Sequence, residues 1–182
     1  LKQYVDIVKP QLSSYDHYHF TAGGGEGGQY FLNLALIRKA AQDANVPILN
    51  IMQACTWTPS MRVPNDNEMR FLVYTTLAYG AQGISYYVYC YPGHTGAIAY
   101  ADGRPTPIYH ALKRLNRQFV AIASQLQPLR SLGVYHLGMM PDGGRPLPAS
   151  CPFTLDPPVA PMAYNPPEKM KGMVLSTFGE TE

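Results

Sequence analysis

The chain has 182 residues, enough for one domain of ordinary size, and 46% of them are hydrophobic, which is sufficient for a packed core. Its formal net charge is +2 and only 14% of its residues are charged, which gives little support to binding of nucleic acids or of anionic membranes. No apolar stretch approaches the roughly 20 residues that a membrane-spanning helix needs.

The predicted elements begin with the end of a helix over residues 2–9, which is followed by a strand in "QLSSYDHY". After a Gly-rich loop, "YFLNLALIRKAAQDAN" carries its apolar residues at helical spacing. Asn45 ends this predicted helix, and Pro47 opens a predicted strand in "PILNIMQAC". A strand, a helix and a second strand therefore follow one another within the first 55 residues.

The same order repeats in the next part of the chain. A helix is predicted in "PNDNEMRFLVYTTLAYG", where Asn65 and Glu68 have the spacing of a capping box. The strand "GISYYVYCY" follows, and the longest predicted helix is "PIYHALKRLNRQFVAIASQLQPL". Strands and helices that alternate in this way indicate parallel βαβ units with right-handed crossovers.

The character of the chain changes after residue 130. "SLGVYHLG" is typical of a strand, most of the prolines fall between residues 141 and 168, and "KGMVLSTFGETE" begins a β pattern. We therefore predict the last strands and helices of a barrel over residues 1–130. A Pro-rich linker and the beginning of a β-rich domain are predicted over residues 131–182.

Polar and aromatic side chains follow the ends of the three predicted parallel strands. Ligands of parallel α/β proteins bind at the carboxyl ends of the strands, so we predict a shared pocket there, whose aromatic and polar side chains suit a saccharide or another polar ligand. Asp16 is the candidate catalytic residue. The candidate substrate-binding residues are His17, Tyr18, Gln53, Trp57, Tyr91 and His94.

Each of these candidates has a structural alternative. Asp16 contacts a sugar or acts as a general base, or else it caps a loop. His17 and Tyr18 alternate along the strand, so at most one of them points fully inward. Gln53 hydrogen-bonds sugar hydroxyls or else fixes a loop. Trp57 stacks on a sugar face or else packs above a helix.

Other residues favour neither a cofactor nor a metal. Glu26 lies in "GGGEGG", which lacks the spacing of a dinucleotide-binding loop, and such a carboxylate is usually solvated. Cys55, Cys90 and Cys151 are unevenly spaced and odd in number, so they indicate no disulfide framework or metal site. We expect Cys55 and Cys90 to be buried thiols, and no cofactor.

Three segments carry a resemblance to a known family: "DIVKPQLSSYDHYHF", "EMRFLVYTTLAYGAQGISYYVYCY" and "DGRPTPIYHALKRLNRQF". They resemble, respectively, the sixth strand, the seventh helix with the eighth strand, and the last loop and helix of the catalytic barrel in clan A glycoside hydrolases. The bacterial β-galactosidase-like group is the most similar, and the third segment is the most specific match. The resemblance extends from Pro10 to about Gly138.

The resemblance implies the C-terminal portion of a TIM (β/α)8 barrel, with the remainder of the same barrel as its partner. It also implies hydrolysis of O-glycosyl bonds in a galactoside or a related polysaccharide. An extracellular or periplasmic location is expected. A closed barrel of this kind has eight strands and about 250 residues, so the chain is predicted to be the back portion of a larger protein.

The resemblance places "PILNIMQACTW" at the seventh strand, where the family carries its catalytic Glu nucleophile. Met52 and Gln53 occupy the matching positions here. A retaining glycosidase needs two carboxyl groups, so the sequence leaves several readings open. The chain belongs to a hydrolase completed by carboxyls from outside it, or to a carbohydrate-binding barrel that does not cleave, or to a different (β/α)8 enzyme.

Overall fold

The structure is a computed structural model that describes residues 1–23, 29–152, 154–156, 158–159 and 172–180. It combines helices and strands, which confirms the predicted α/β class. The helices are α1 (Lys2–Val8), α2 (Tyr30–Ala44), α3 (Asp66–Ala78) and α4 (Pro107–Leu126). The strands are β1 (Ser13–Asp16), β2 (Ile48–Gln53), β3 (Cys55–Thr56), β4 (Gly83–Tyr87), β5 (Thr95–Gly96), β6 (Arg130–Leu137) and β7 (Met173–Gly179).

Three of these strands form a parallel sheet in the order β1-β2-β4. Asp16 at the end of β1 is opposite Ile51, and Gln53 at the end of β2 is opposite Tyr87. The predicted parallel pairing of the three strands is therefore confirmed. Because the strands run in the same direction, their carboxyl ends meet at one edge of the molecule, where the loops that follow them come together.

Helices α2, α3 and α4 pack on one face of this sheet. The Asn50 side chain in β2 donates to the Thr76 hydroxyl in α3 at 2.7 Å, and the Tyr86 hydroxyl in β4 donates to Asn116 in α4 at 2.5 Å. Each strand lies next to the one before it, and right-handed crossovers in one direction put the connecting helices on the same side. The core lies between the helices and this face.

The opposite face of the sheet is only partly covered by the described residues. Its side chains alternate with those that pack on the helices, and none of them belongs to either hydrophobic core cluster. Gln53 at the end of β2 is buried, two others are exposed and four are partly buried: Ser14 and Asp16, and Leu49, Ile51, Ser85 and Tyr87.

Local sequence signals account for the starts of α3 and α4. The Asn65 side chain accepts the N–H groups of Asn67 at 3.0 Å and Glu68 at 3.1 Å, and the Glu68 carboxylate accepts the Asn65 N–H at 2.8 Å. The predicted capping box is therefore confirmed. Thr106 caps α4, and Pro107 occupies its first turn, where the missing N–H is not needed.

A second, antiparallel sheet pairs β6 with β7, so both late segments form the strands that their patterns predict. Val134 in β6 and Met139 just after it belong to the same core cluster as residues of α2, α3 and α4. The His136 ring is buried and lies 2.8 Å from the Tyr79 hydroxyl. This sheet therefore packs on the helical layer of the parallel sheet.

Within the described part of the chain, none of the helices has the length and hydrophobicity needed to cross a lipid bilayer. The same residues contain no group of three or more His, Cys, Asp or Glu side chains arranged to hold a metal ion.

Candidate functional site

An aromatic cluster lies at the carboxyl end of the parallel sheet and consists of Tyr18, Trp57, Tyr87, Tyr91 and His94. The centroid of the Trp57 ring is 5.1 Å from that of Tyr18 and 5.1 Å from that of Tyr87. Trp57 also stacks on His94, with centroids 5.4 Å apart and planes inclined by 25°. Tyr91 meets His94 at 4.9 Å. The cluster joins segments that follow all three strands.

The short β3–β5 pairing positions Trp57 beside His94. Thr56 is opposite Thr95 in this antiparallel pair, so the residues that flank the pair on the two segments lie close together. The Ala54 N–H donates to the Tyr87 carbonyl oxygen at 2.8 Å, which ties the pair to the end of β4. The Trp57 side chain remains 37% exposed, so part of its ring is accessible to a ligand.

Asp16 supplies a carboxylate to this cluster. It is exposed at the end of β1, two residues before Tyr18 and close enough to act on the Tyr18 phenol. Burial raises the pKa of the Tyr18 phenol above its usual value, and the neighbouring Asp16 carboxylate raises it further. Tyr18 is therefore a neutral hydrogen-bond donor at neutral pH. No hydrogen bond or ion pair joins a second carboxylate of the described residues to the cluster.

Tyr87 belongs to the cluster although the sequence analysis did not select it. Its hydroxyl lies 3.2 Å from Nε2 of His94, and the peptide bond that follows it is cis. Strand alternation could have pointed to Tyr87 in the sequence. Tyr87 is two residues after Ser85, and both lie on the partly covered face. Only the register with Gln53 and Asp16 shows that this face leads to the candidate site.

Gln53 is placed away from the accessible surface of the cluster. Its side chain is fully buried, with 0% exposed. Its amide oxygen accepts the Phe20 N–H at 2.9 Å, and its amide nitrogen donates to the carbonyl oxygens of Phe20 at 3.2 Å and Arg62 at 2.8 Å. Gln53 therefore ties the loop after β1 to the loop after β2, as the loop-fixing alternative expects.

His17 lies on the other side of the β1 segment from Tyr18. Its Nδ1 is 3.0 Å from the Asn33 amide nitrogen in α2, and its ring contacts Tyr30 at 5.8 Å. Alternation along the extended chain separates the two neighbours in this way.

The structure brings five of the seven predicted residues together: Asp16, Tyr18, Trp57, Tyr91 and His94. Glu26 lies outside the described residues.

A partly buried ion pair joins Arg62 of the loop after β2 to Glu68 at the start of α3. The Arg62 guanidinium donates two hydrogen bonds to the Glu68 carboxylate, at 2.7 and 2.6 Å, and lies 5.0 Å above the Phe20 ring. Burial alone would raise the pKa of the Glu68 carboxyl, but the bonds from Arg62 and from the Asn65 N–H hold it below its usual value. Glu68 is therefore ionised at neutral pH and already occupied by its structural partners.

The arrangement offers ring faces, phenol hydroxyls, an imidazole and one carboxylate at the open end of a parallel sheet. Ring faces contact apolar C–H surfaces, and the polar groups hydrogen-bond hydroxyls.

Comparison of the chain with protein-family models, curated proteins and solved structures finds no match.

Proposed function

We propose that the aromatic cluster binds a saccharide. The observation that carries this proposal is the accessible Trp57 ring, which is held by Tyr18, Tyr87 and His94 beside the Asp16 carboxylate. A pyranose has apolar C–H faces and a rim of hydroxyls, and it needs both kinds of contact. Asp16 and the phenol groups supply the hydrogen bonds, and the tryptophan supplies the ring face.

We also propose that the parallel sheet is the C-terminal part of a (β/α)8 barrel of the clan A glycoside hydrolase kind. In support, the three strands follow one another in order and the helices pack on one face. Parallel sheets are covered on both faces in α/β proteins, so the partly covered face needs further structure. Additional strands of the same barrel would close the interior over Leu49 and Ile51.

Hydrolysis of an O-glycosyl bond is a second candidate function, favoured by Asp16 alone. Glycosidases use a pair of carboxyl groups about 5–10 Å apart, one of them acting as an acid or a base. Asp16 is the carboxylate near Tyr18 of the cluster, and Gln53 is buried in loop contacts. A second carboxyl would therefore come from outside the described residues, and the present site favours binding over cleavage.

The single tryptophan provides a direct binding test, because Trp57 is the only fluorophore of its kind in the chain. We expect galactose and methyl β-galactoside to change its fluorescence saturably at millimolar concentration, with glycerol as the polyol control. Calorimetry on Tyr18→Ala and Asp16→Asn should show binding weakened by about tenfold, since each removes a polar contact. Absence of saturable binding to any sugar would refute the proposal.

Hydrolysis is tested separately with aryl galactosides and aryl glucosides. If the protein cleaves, Asp16→Asn should lower kcat by about 10²–10⁴-fold, the usual contribution of a positioned acid or base. Millimolar sugar binding without turnover of any aryl glycoside would instead establish the non-catalytic carbohydrate-binding barrel.

A further inference from the structure

Three exposed tyrosines lie on the loop between β4 and α4, and one of them, Tyr91, belongs to the aromatic cluster. The exposed fractions are 64% for Tyr89, 58% for Tyr91 and 49% for Tyr100, each larger than the 37% of Trp57. Between residues 57 and 109 every exposed large hydrophobic side chain is aromatic. The surface therefore offers ring faces and hydroxyls without an aliphatic patch, and such exposed apolar surface usually serves recognition.

Hydrogen bonds hold this loop in a defined shape. The N–H groups of Ile98 and Ala99 donate to the Tyr89 carbonyl oxygen at 3.0 and 2.8 Å, which brings Tyr89 next to the segment that carries Tyr100. The buried Thr106 hydroxyl donates to the Ala97 carbonyl oxygen at 2.6 Å. The loop backbone is therefore already ordered before a ligand docks on these tyrosines. This lowers the entropic cost of binding and favours affinity.

The tyrosine surface meets the cluster at Tyr91. Tyr91 contacts His94, which stacks on Trp57. At the outer end, the Arg104 guanidinium lies 5.7 Å from the Tyr100 ring, and an ion pair with Asp102 at 2.7 Å holds that guanidinium. Rings therefore contact one another from Trp57 through His94 to Tyr91, and Tyr89 and Tyr100 expose two further rings on the same loop.

We propose that this loop extends the saccharide site, so that the site takes a chain of several sugar residues in preference to a single sugar. The inference rests on the proposed function, because it needs the cluster to bind the first sugar residue. Each exposed ring offers one stacking platform, and its hydroxyl reaches the hydroxyls at the sugar rim. The acidic and the basic residue of this loop, Asp102 and Arg104, pair with each other. A neutral oligosaccharide or polysaccharide is therefore the ligand class that suits the loop.

The test measures affinity against chain length. Galactose and β-linked galactan oligosaccharides of two to about six residues are titrated into the full chain, with Trp57 fluorescence and calorimetry as readouts. We expect affinity to rise by about tenfold or more from the monosaccharide to the longer chains, as added stacking contacts contribute. Tyr89→Ala and Tyr100→Ala should remove most of this gain and leave the affinity for galactose within about twofold.

Tyr4→Ala is the matched control, because Tyr4 is a 52% exposed tyrosine on α1 and not on this loop. It should leave every affinity unchanged. Equal affinity for all chain lengths, or a length dependence that survives both loop substitutions, would overturn the inference and leave the proposed function standing. Failure of all sugars to bind would overturn both, and such a tyrosine surface would then be assigned to a protein partner.

Discussion

Two hydrogen bonds join the side-chain amide of Gln53 to the backbone of Phe20, one in each direction. The amide oxygen accepts the Phe20 N–H, and the amide nitrogen donates to the Phe20 carbonyl oxygen. This reciprocal pair links the end of β2 to the loop after β1, and it needs the acceptor and the donor of an amide together.

Gln53→Ala is expected to lower the free energy of unfolding by about 2–4 kcal/mol. The substitution leaves the buried Phe20 N–H and the Arg62 carbonyl oxygen without these bonds, and an unsatisfied buried polar group costs about 1–3 kcal/mol. Urea denaturation followed by circular dichroism measures the loss. Gln125→Ala, at an exposed position of α4, should change stability by less than about 0.5 kcal/mol, and an equal loss in both variants would contradict this role.

Gln53→Glu should not create glycosidase activity. The new carboxylate oxygen would face the Phe20 and Arg62 carbonyl oxygens, so burial and repulsion should raise its pKa in the folded state. A raised folded-state pKa means that stability is retained below the unfolded pKa of about 4.3 and is lost as pH rises. Unfolding at pH 4 and pH 8 measures this difference, and aryl galactoside turnover by the variant would show that Gln53 does reach the site.

His136 should make the protein less stable in mild acid. Burial lowers the pKa of the His136 imidazole to about 4, while the unfolded chain titrates near 6.5. The unfolded state therefore binds more protons between these values, and stability should fall by about 3 kcal/mol as pH drops from about 6.5 to 4. His136→Phe should remove this part of the pH dependence, whereas His110→Gln, at an exposed site, should retain it.

Asn65→Ala should destabilise the protein by about 1 kcal/mol, because α3 loses the side chain that accepts two N–H groups. Asn67→Ala is the matched control in the first turn of the same helix. Its side chain is exposed, and alanine has the better helix propensity, so this variant should be neutral or slightly more stable. Thermal unfolding should show a lower melting temperature for Asn65→Ala and an equal or higher one for Asn67→Ala. Equal destabilisation of the two variants would argue against the cap.

Cys55 should resist thiol reagents while the protein is folded. Its side chain is fully buried and donates to the Tyr87 carbonyl oxygen, and burial raises the pKa of its thiol to about 11. Cys90 and Cys151 are partly exposed free thiols, so they should react first. Mass spectrometry after labelling in buffer and in urea distinguishes the sites, and rapid native labelling of Cys55 would contradict the described packing below Tyr87.

Local signals in the sequence determined most of the helices and strands. Apolar spacing and the prolines and asparagines at their ends predict α2, α3 and α4 within a few residues, because helices depend on contacts between neighbours in the chain. The alternation of strands and helices also indicates the parallel sheet and the end where its loops meet. The sequence alone therefore located the region that holds Asp16, Tyr18 and Trp57.

Which of these side chains face one another depends on the folded structure. Gln53 bonds to Phe20, which is 33 positions away in the chain, and Tyr87 enters the cluster because its strand is in register with β2. The pairing of β6 with β7 likewise joins segments that are distant in sequence. A polar residue at a strand end either contacts a ligand or hydrogen-bonds the neighbouring loops. Strand register and packing decide between the two, because they determine which groups lie beside it.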